Sequence, residues 1–172
     1  MKTRIAMLLM VTGLAVPGFA ADARPAPATN AAAAFARLKG LVGTWQADTN
    51  MGKLQLSYEL VSNGNVLLER VNDASQHHNM VTAYYVDNDT LVLTHYCELG
   101  NQPHMVARRI DLDSGEIVFD FAGAGNLSSS DAPHMHTATF RFVDGDHFTG
   151  AWTMFENNKP KLTVTAQYAR VQ

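Results

Sequence analysis

From Gly43 to Arg170 the chain keeps a period of two, and that period restricts what it can become. Leu54, Leu56, Tyr58 and Leu60 alternate with Gln55, Ser57 and Glu59, and Leu162, Val164, Ala166 and Tyr168 alternate with Thr163, Thr165 and Gln167. Successive strand residues point to opposite faces, so each alternation describes a strand with one apolar and one polar side. Turn-forming residues cut the pattern at Asn50–Gly52, Ser62–Asn65, Asp87–Asp89, Gly100–Pro103, Asp113–Gly115, Asp144–Asp146 and Asn157–Pro160;. They delimit about ten strands, near 43–48, 53–61, 65–72, 79–86, 90–97, 104–111, 116–122, 136–143, 147–156 and 161–170;. Short loops make consecutive strands antiparallel neighbours, and a long meander either closes or exposes apolar edges. The expectation is an all-β, ten-stranded antiparallel meander barrel.

The chain before Gly43 has a different character. Lys2 and Arg4, an apolar run from Ile5 to Val16, Pro17 and the small-residue end Gly18-Phe19-Ala20 form a secretory leader, too short to span a bilayer, with cleavage expected after Ala20;. Residues 21–34 are alanine, proline and small polar residues, a linker composition;. Ala31 to Lys39, with Phe35, Leu38 and Leu41 at helical spacing, predicts one short helix capped by Asn30 and stopped by Gly40, plugging one end of the sheet;. A single domain, 35–172, accounts for the rest. The expected location is outside the cytoplasm, periplasmic or secreted, with no integral membrane segment after processing.

Without Lys2 and Arg4 the chain has 11 basic and 16 acidic residues, a net charge of −5, which does not attract nucleic acid or anionic lipid;. Cys97 is the single cysteine, so no internal disulfide can form and the core must hold the fold;. The expected state is a monomer or weak dimer.

Chemistry-bearing side chains concentrate in THYCELGNQPHM, Thr94 to Met105, and in PHMH, Pro133 to His136. His95 and Cys97 share a strand face, as do His134 and His136 if their strand starts that early. His95 and Cys97 lie about 6.5 to 7 Å apart along the strand, too far for a thiolate–imidazole pair. His95, His104, His134 and His136, joined by Cys97, form the set that could converge on a metal, with His95, His104 and His136 the favoured three. Asn101 and Gln102 present amides at the predicted Gly100–Pro103 turn. Glu69 and Arg108 interrupt apolar runs, and in each adjacent charged pair, Glu69-Arg70 and Arg108-Arg109, one residue is expected to face inward;. Phe140, Phe142, Phe148, Trp152 and Phe155 gather aromatic surface in the penultimate hairpin;. His77-His78 falls in a polar turn, and Ala122–Pro133, rich in glycine and serine, is a long loop placed to act as a lid;. No nucleophile elbow, phosphate loop, dinucleotide fingerprint or zinc-protease helix is present.

A helix followed by Gly43-Thr44-Trp45 at the first strand and then an antiparallel meander resembles the calycin superfamily of lipocalins and fatty-acid-binding proteins. The resemblance implies that Trp45 closes the barrel base and that an arginine of the last strand, Arg170, lies across it. Ten strands are closer to the fatty-acid-binding and nitrobindin branches than to eight-stranded lipocalins. No histidine follows His147, so the late haem-ligating histidine of nitrobindin-like barrels has no counterpart, and no cofactor is expected. THYCELGNQPHM resembles a segment of uncharacterised exported bacterial proteins with a lipocalin-like barrel.

The reading is therefore a calycin-like container, a binding protein rather than an enzyme. It would hold a small, largely apolar ligand among Tyr58, Glu69, His95, Cys97, Asn101, Gln102, Arg108, His136 and Trp152;. The alternatives are a metal-binding protein or metal-dependent enzyme using His95, His104 and His136, and an envelope structural or stress protein without ligand.

Overall fold

The computed structural model describes residues 30–73 and 78–171. The expected leader, residues 21–29 of the linker and the turn at His77 lie outside the described residues. Among those described, one helix, α1 (Ala31–Lys39), precedes ten strands. They are β1 (Gly43–Thr49), β2 (Gly52–Val61), β3 (Val66–Asp73), β4 (His78–Asp87), β5 (Thr90–Tyr96), β6 (Gln102–Asp111), β7 (Glu116–Gly125), β8 (His134–Phe142), β9 (His147–Glu156) and β10 (Lys159–Arg170). Each strand pairs antiparallel with the next and β10 pairs with β1, closing the barrel. Closure leaves no unpaired edge, which is why a ten-strand meander is stable here. Among the described residues no helix is long and apolar enough to cross a membrane.

Local sequence chemistry sets the connections. Asn88-Asp89 and Asn157-Asn158 take positive φ at both positions, the two-residue hairpin geometry whose twist matches that of the flanking strands;. At Ser62–Gly64 a 3₁₀ turn joins β2 to β3 and holds Tyr58 opposite Glu69. The β5–β6 turn runs through Cys97 to Asn101, closed by the Cys97 amide on the Asn101 carbonyl at 3.1 Å, so Gln102 and Pro103, read as turn residues, belong to β6. Asn30 precedes α1 with φ 71° and makes no side-chain capping bond. Gly40 ends the helix at φ −64° without a left-handed cap, its amide bonding the Arg37 carbonyl in a tightened last turn;.

One end of the barrel is closed by α1. Ala31, Ala34, Phe35 and Leu38 are buried against the core, and the helix packs on β4, β5 and β6. At this end Trp45 is fully buried and donates its indole N–H to the Leu41 carbonyl at 2.6 Å. The Arg170 guanidinium lies 4.4 Å over the Trp45 ring and donates to the carbonyls of Val42, Gly40 and Gly145 and to Asp146. Gly43 is required by this arrangement, because it sits at φ 129° and a Cβ there would meet Arg170 Nη1 at 3.1 Å;. Above this floor Tyr84, Phe119, Phe140 and Phe148 fill the interior with edge-on and tilted ring contacts;.

Bulges break the period-two rule where the sequence shows nothing unusual. A register shift between Ala107 and Arg109 lets both Arg108 and Arg109 face outward, Arg108 pairing Asp120 at 2.6 Å and Arg109 pairing Glu116;. The expectation that one of the two points inward fails for that reason. The neighbouring charged pair obeys the rule: Glu69 is buried, and Arg70 faces out to Glu59 at 2.9 Å.

Candidate functional site

At the end opposite α1 the core does not reach the rim, leaving a cavity of about 190 Å³. Its wall comes from side chains on most of the strands, including Leu54, Val71, Met80, Met154 and Val164, with the exposed Met51, Leu99 and Leu162 at the mouth. A cavity of roughly 150 Å³ accepts benzene, so this one takes a ring with a short tail and nothing of drug size.

Four of the residues singled out from sequence line it: Glu69, His95, Cys97 and Trp152. Tyr58 stands immediately behind, donating its phenol to Glu69 Oε2 at 2.8 Å. Tyr84 donates to the same oxygen at 2.8 Å. Both phenols hold the Glu69 carboxyl down, but burial prevails and raises its pKa above the ordinary value;. Burial likewise pushes both phenols well above theirs, so they remain donors. His95 follows Glu69 around the wall with Thr82 between them, since Glu69 pairs Thr82 and Thr82 pairs His95 across β3, β4 and β5.

His95 is 5% exposed, and its Nδ1 lies 2.9 Å from the Thr82 hydroxyl. Its Nε2 is buried and has no hydrogen-bond partner among the described residues. Removal from water lowers its pKa to about 4, so the ring is neutral near pH 7;. Trp152 packs against it with ring centroids 5.2 Å apart. Tyr168 completes this side, stacked on Phe148 at 4.1 Å. Burial raises the Cys97 thiol, and thiolate is correspondingly scarce;.

The remaining sequence candidates lie elsewhere. Asn101 is buried and donates to the Pro133 carbonyl at 2.8 Å, tying the β5–β6 turn to the loop before β8. Gln102 bonds the Gly100 carbonyl at 3.0 Å, and Arg108 is on the outer wall with Asp120. His104 Nδ1 lies 3.3 Å from the Thr94 hydroxyl. His136 accepts or donates at 3.0 Å with His134 and stacks on Phe155 at 3.9 Å. Among the described residues no three His, Cys, Asp or Glu converge as a metal would require;. The segment read as a lid is shorter than expected, because β7 continues to Gly125. The β7–β8 loop beyond Gly125 is held by Asn126 on the Gly100 carbonyl and by the Asn157 amide on the Asp131 carbonyl, and none of it lines the cavity.

Sequence reasoning missed Tyr168 as a lining residue, and Tyr84 and Thr82 as the polar partners of Glu69 and His95. The register implied by the Ser62–Asn65 turn already pairs Tyr58 with Glu69, and one more hairpin places Thr82 beside it. A larger open groove of about 680 Å³ lies on the outer wall over Gly150 and Ala151, lined by Thr139, Arg141, Thr149 and Thr165. It is a dip left by small side chains, and neither of the two unpartnered buried polar atoms among the described residues, His95 Nε2 and Asn101 Oδ1, belongs to a residue that lines it.

No family model matches the chain, and no curated protein matches it. Among solved structures it is similar to a protein of unknown function from the DUF3598 family of Nostoc punctiforme PCC 73102, with TM-score 0.52 and 11% identity. The similarity covers 78% of this chain and 48% of that one, so the chain spans about half the length of its structural neighbour. At that identity the likeness is one of fold: a closed antiparallel barrel shared with a protein of uncharacterised function.

Proposed function

We propose that this protein binds one small, largely apolar molecule in the open end of its barrel, without catalysing a reaction on it. A single observation carries the reading: His95 Nε2, buried in a cavity wall that is otherwise mostly apolar, has no partner among the described residues. A buried polar atom left unmet costs about 1 to 3 kcal/mol, so a group that meets it adds to whatever the apolar wall contributes. Metal chelation by His95, His104 and His136 has no comparable support, since their partners are separate hydroxyl and imidazole groups.

Titration of the purified protein with n-propylbenzene, followed by calorimetry and melting temperature, tests the reading. Saturable binding with a raised melting temperature is expected. No binding and an unchanged melting temperature would remove the proposal.

We further propose export, on the leader pattern of residues 1–20, with the protein acting as a monomer or weak dimer in the periplasm or medium;. N-terminal sequencing of protein recovered from that compartment should begin at Ala21, and an intact Met1 would sink this part. Sedimentation over a range of concentrations tests the oligomeric state.

A further inference from the structure

We propose that the molecule held in this cavity is an apolar amine, its nitrogen donating to Glu69 and to His95 Nε2, and not a fatty acid or other carboxylate. The inference rests on the cavity-binding reading above and names the chemistry of its ligand. Glu69 and Glu98 are the charged lining residues, and among the described residues no lysine or arginine lines the cavity. A carboxylate ligand would meet the Glu69 carboxyl in a low-dielectric space with no lysine or arginine among the described lining residues;. An ammonium group brings to Glu69 the opposite charge that favours its ionised form in a buried site.

Glu69 has acceptor capacity beyond the two phenols, because a carboxylate offers about four lone-pair sites and Tyr58 and Tyr84 both occupy Oε2;. The polar run around it orients the histidine. Tyr84 donates to Glu69, and the Thr82 hydroxyl lies 2.9 Å from His95 Nδ1, where its oxygen can accept from Nδ1–H;. Nε2 in that tautomer carries a lone pair and needs a donor. Glu69 and His95 flank Thr82 on successive strands, so a multi-donor nitrogen placed over Thr82 faces both. Trp152 and Tyr168 add aromatic faces to the same wall, surfaces that attract a cation by their ring quadrupoles;. The size suits a ring or short alkyl chain with a one- or two-carbon arm;.

Three probes of similar bulk separate the possibilities: 2-phenylethylamine, n-propylbenzene and phenylacetate, titrated calorimetrically into the wild-type protein near pH 7. The amine is expected to bind at least about tenfold tighter than propylbenzene, as charge-assisted hydrogen bonds outweigh ammonium desolvation, with phenylacetate weakest. In Glu69→Gln the ratio of amine to propylbenzene affinity should fall to about one. Amine and propylbenzene binding alike, phenylacetate binding best, or an amine advantage that survives Glu69→Gln would each overturn the amine assignment and leave the cavity reading standing. Failure of all three probes, propylbenzene included, overturns both. Should Glu69→Gln fail to fold, nitrogen NMR of the wild-type imidazoles decides instead: the amine must shift the His95 Nε2 resonance, and an unmoved resonance overturns the assignment.

Discussion

His95 Nδ1 stands 2.9 Å from the Thr82 hydroxyl, and the other ring nitrogen is buried at the cavity wall without a partner among the described residues. The acidity of the cavity, the histidine tautomer and the stability of the open end all meet at this pair. Each can be measured separately.

Burial lowers His95 to about 4, so between pH 6.5 and about 4 the unfolded chain takes up a proton that the folded protein refuses;. Stability contributed at this site is therefore complete above pH 6.5 and falls as the pH drops, by on the order of 3 kcal/mol once both limits are passed. Glu69 works in the opposite sense, because its raised pKa makes the folded state bind a proton first, and stability withheld at higher pH returns as the pH falls through that pKa. The histidine term is isolated as the difference between wild type and His95→Phe in urea denaturation from pH 4 to 7. The gap between the two should change in favour of the variant as the pH falls; parallel curves would refute this.

Removing the Tyr84 hydroxyl with Tyr84→Phe deletes one of the two donors to Glu69 Oε2. The expected loss is about 1 to 3 kcal/mol of stability. Because that phenol lowers the carboxyl, the variant should raise the Glu69 pKa further, measured by carbon NMR titration of the side-chain carboxyl. A downward shift would contradict the arrangement.

Gly150 is needed for space, not for its backbone angle. A Cβ there would meet Tyr168 Cε2 at 3.0 Å, its phenol oxygen at 3.4 Å and Phe140 Cδ1 at 3.6 Å. Tyr168 is fixed behind by its stack on Phe148, so Gly150→Ala should push the ring toward the cavity, weaken propylbenzene binding and cost about 1 to 3 kcal/mol;. Calorimetry and chemical denaturation on the same preparation check both effects.

Arg170 joins the closed end by donating to three carbonyls and Asp146 while covering Trp45. Arg170→Ala should lose about 3 kcal/mol of stability, and Arg170→Lys should recover less than half of it, since an ammonium lacks the planar fork that reaches several acceptors at once. Melting curves of the two variants decide whether charge or geometry matters. Ligand affinity at the opposite end should hardly change in either.

Much of the barrel was legible along the chain. Strand periods and turn residues placed all ten strands to within about two residues at most boundaries, because alternation and positive-φ turns are local properties that a strand carries wherever it packs;. The buried position of Glu69 was also within reach, since the turn at Ser62–Gly64 sets its register against Tyr58. Arg108 was not. Its outward direction depends on a bulge against β7, and nothing in Ala107-Arg108-Arg109 marks where the partner strand slips;. His136 likewise forms its contacts across a bulge beside β9, stacking on Phe155 rather than facing the cavity.

The sequence by itself determined that this chain is a meander of two-faced strands, which residues share a face where no bulge intervenes, and where most hairpins turn, because those follow from dihedral preferences a few residues long. Tertiary structure alone decided which end stays open and which polar groups meet there. Glu69, Thr82, Tyr84, His95, Trp152 and Tyr168 come from five strands, and only barrel closure, with α1 filling the other end, brings them together at and behind one wall and leaves one nitrogen of His95 without a partner among the described residues.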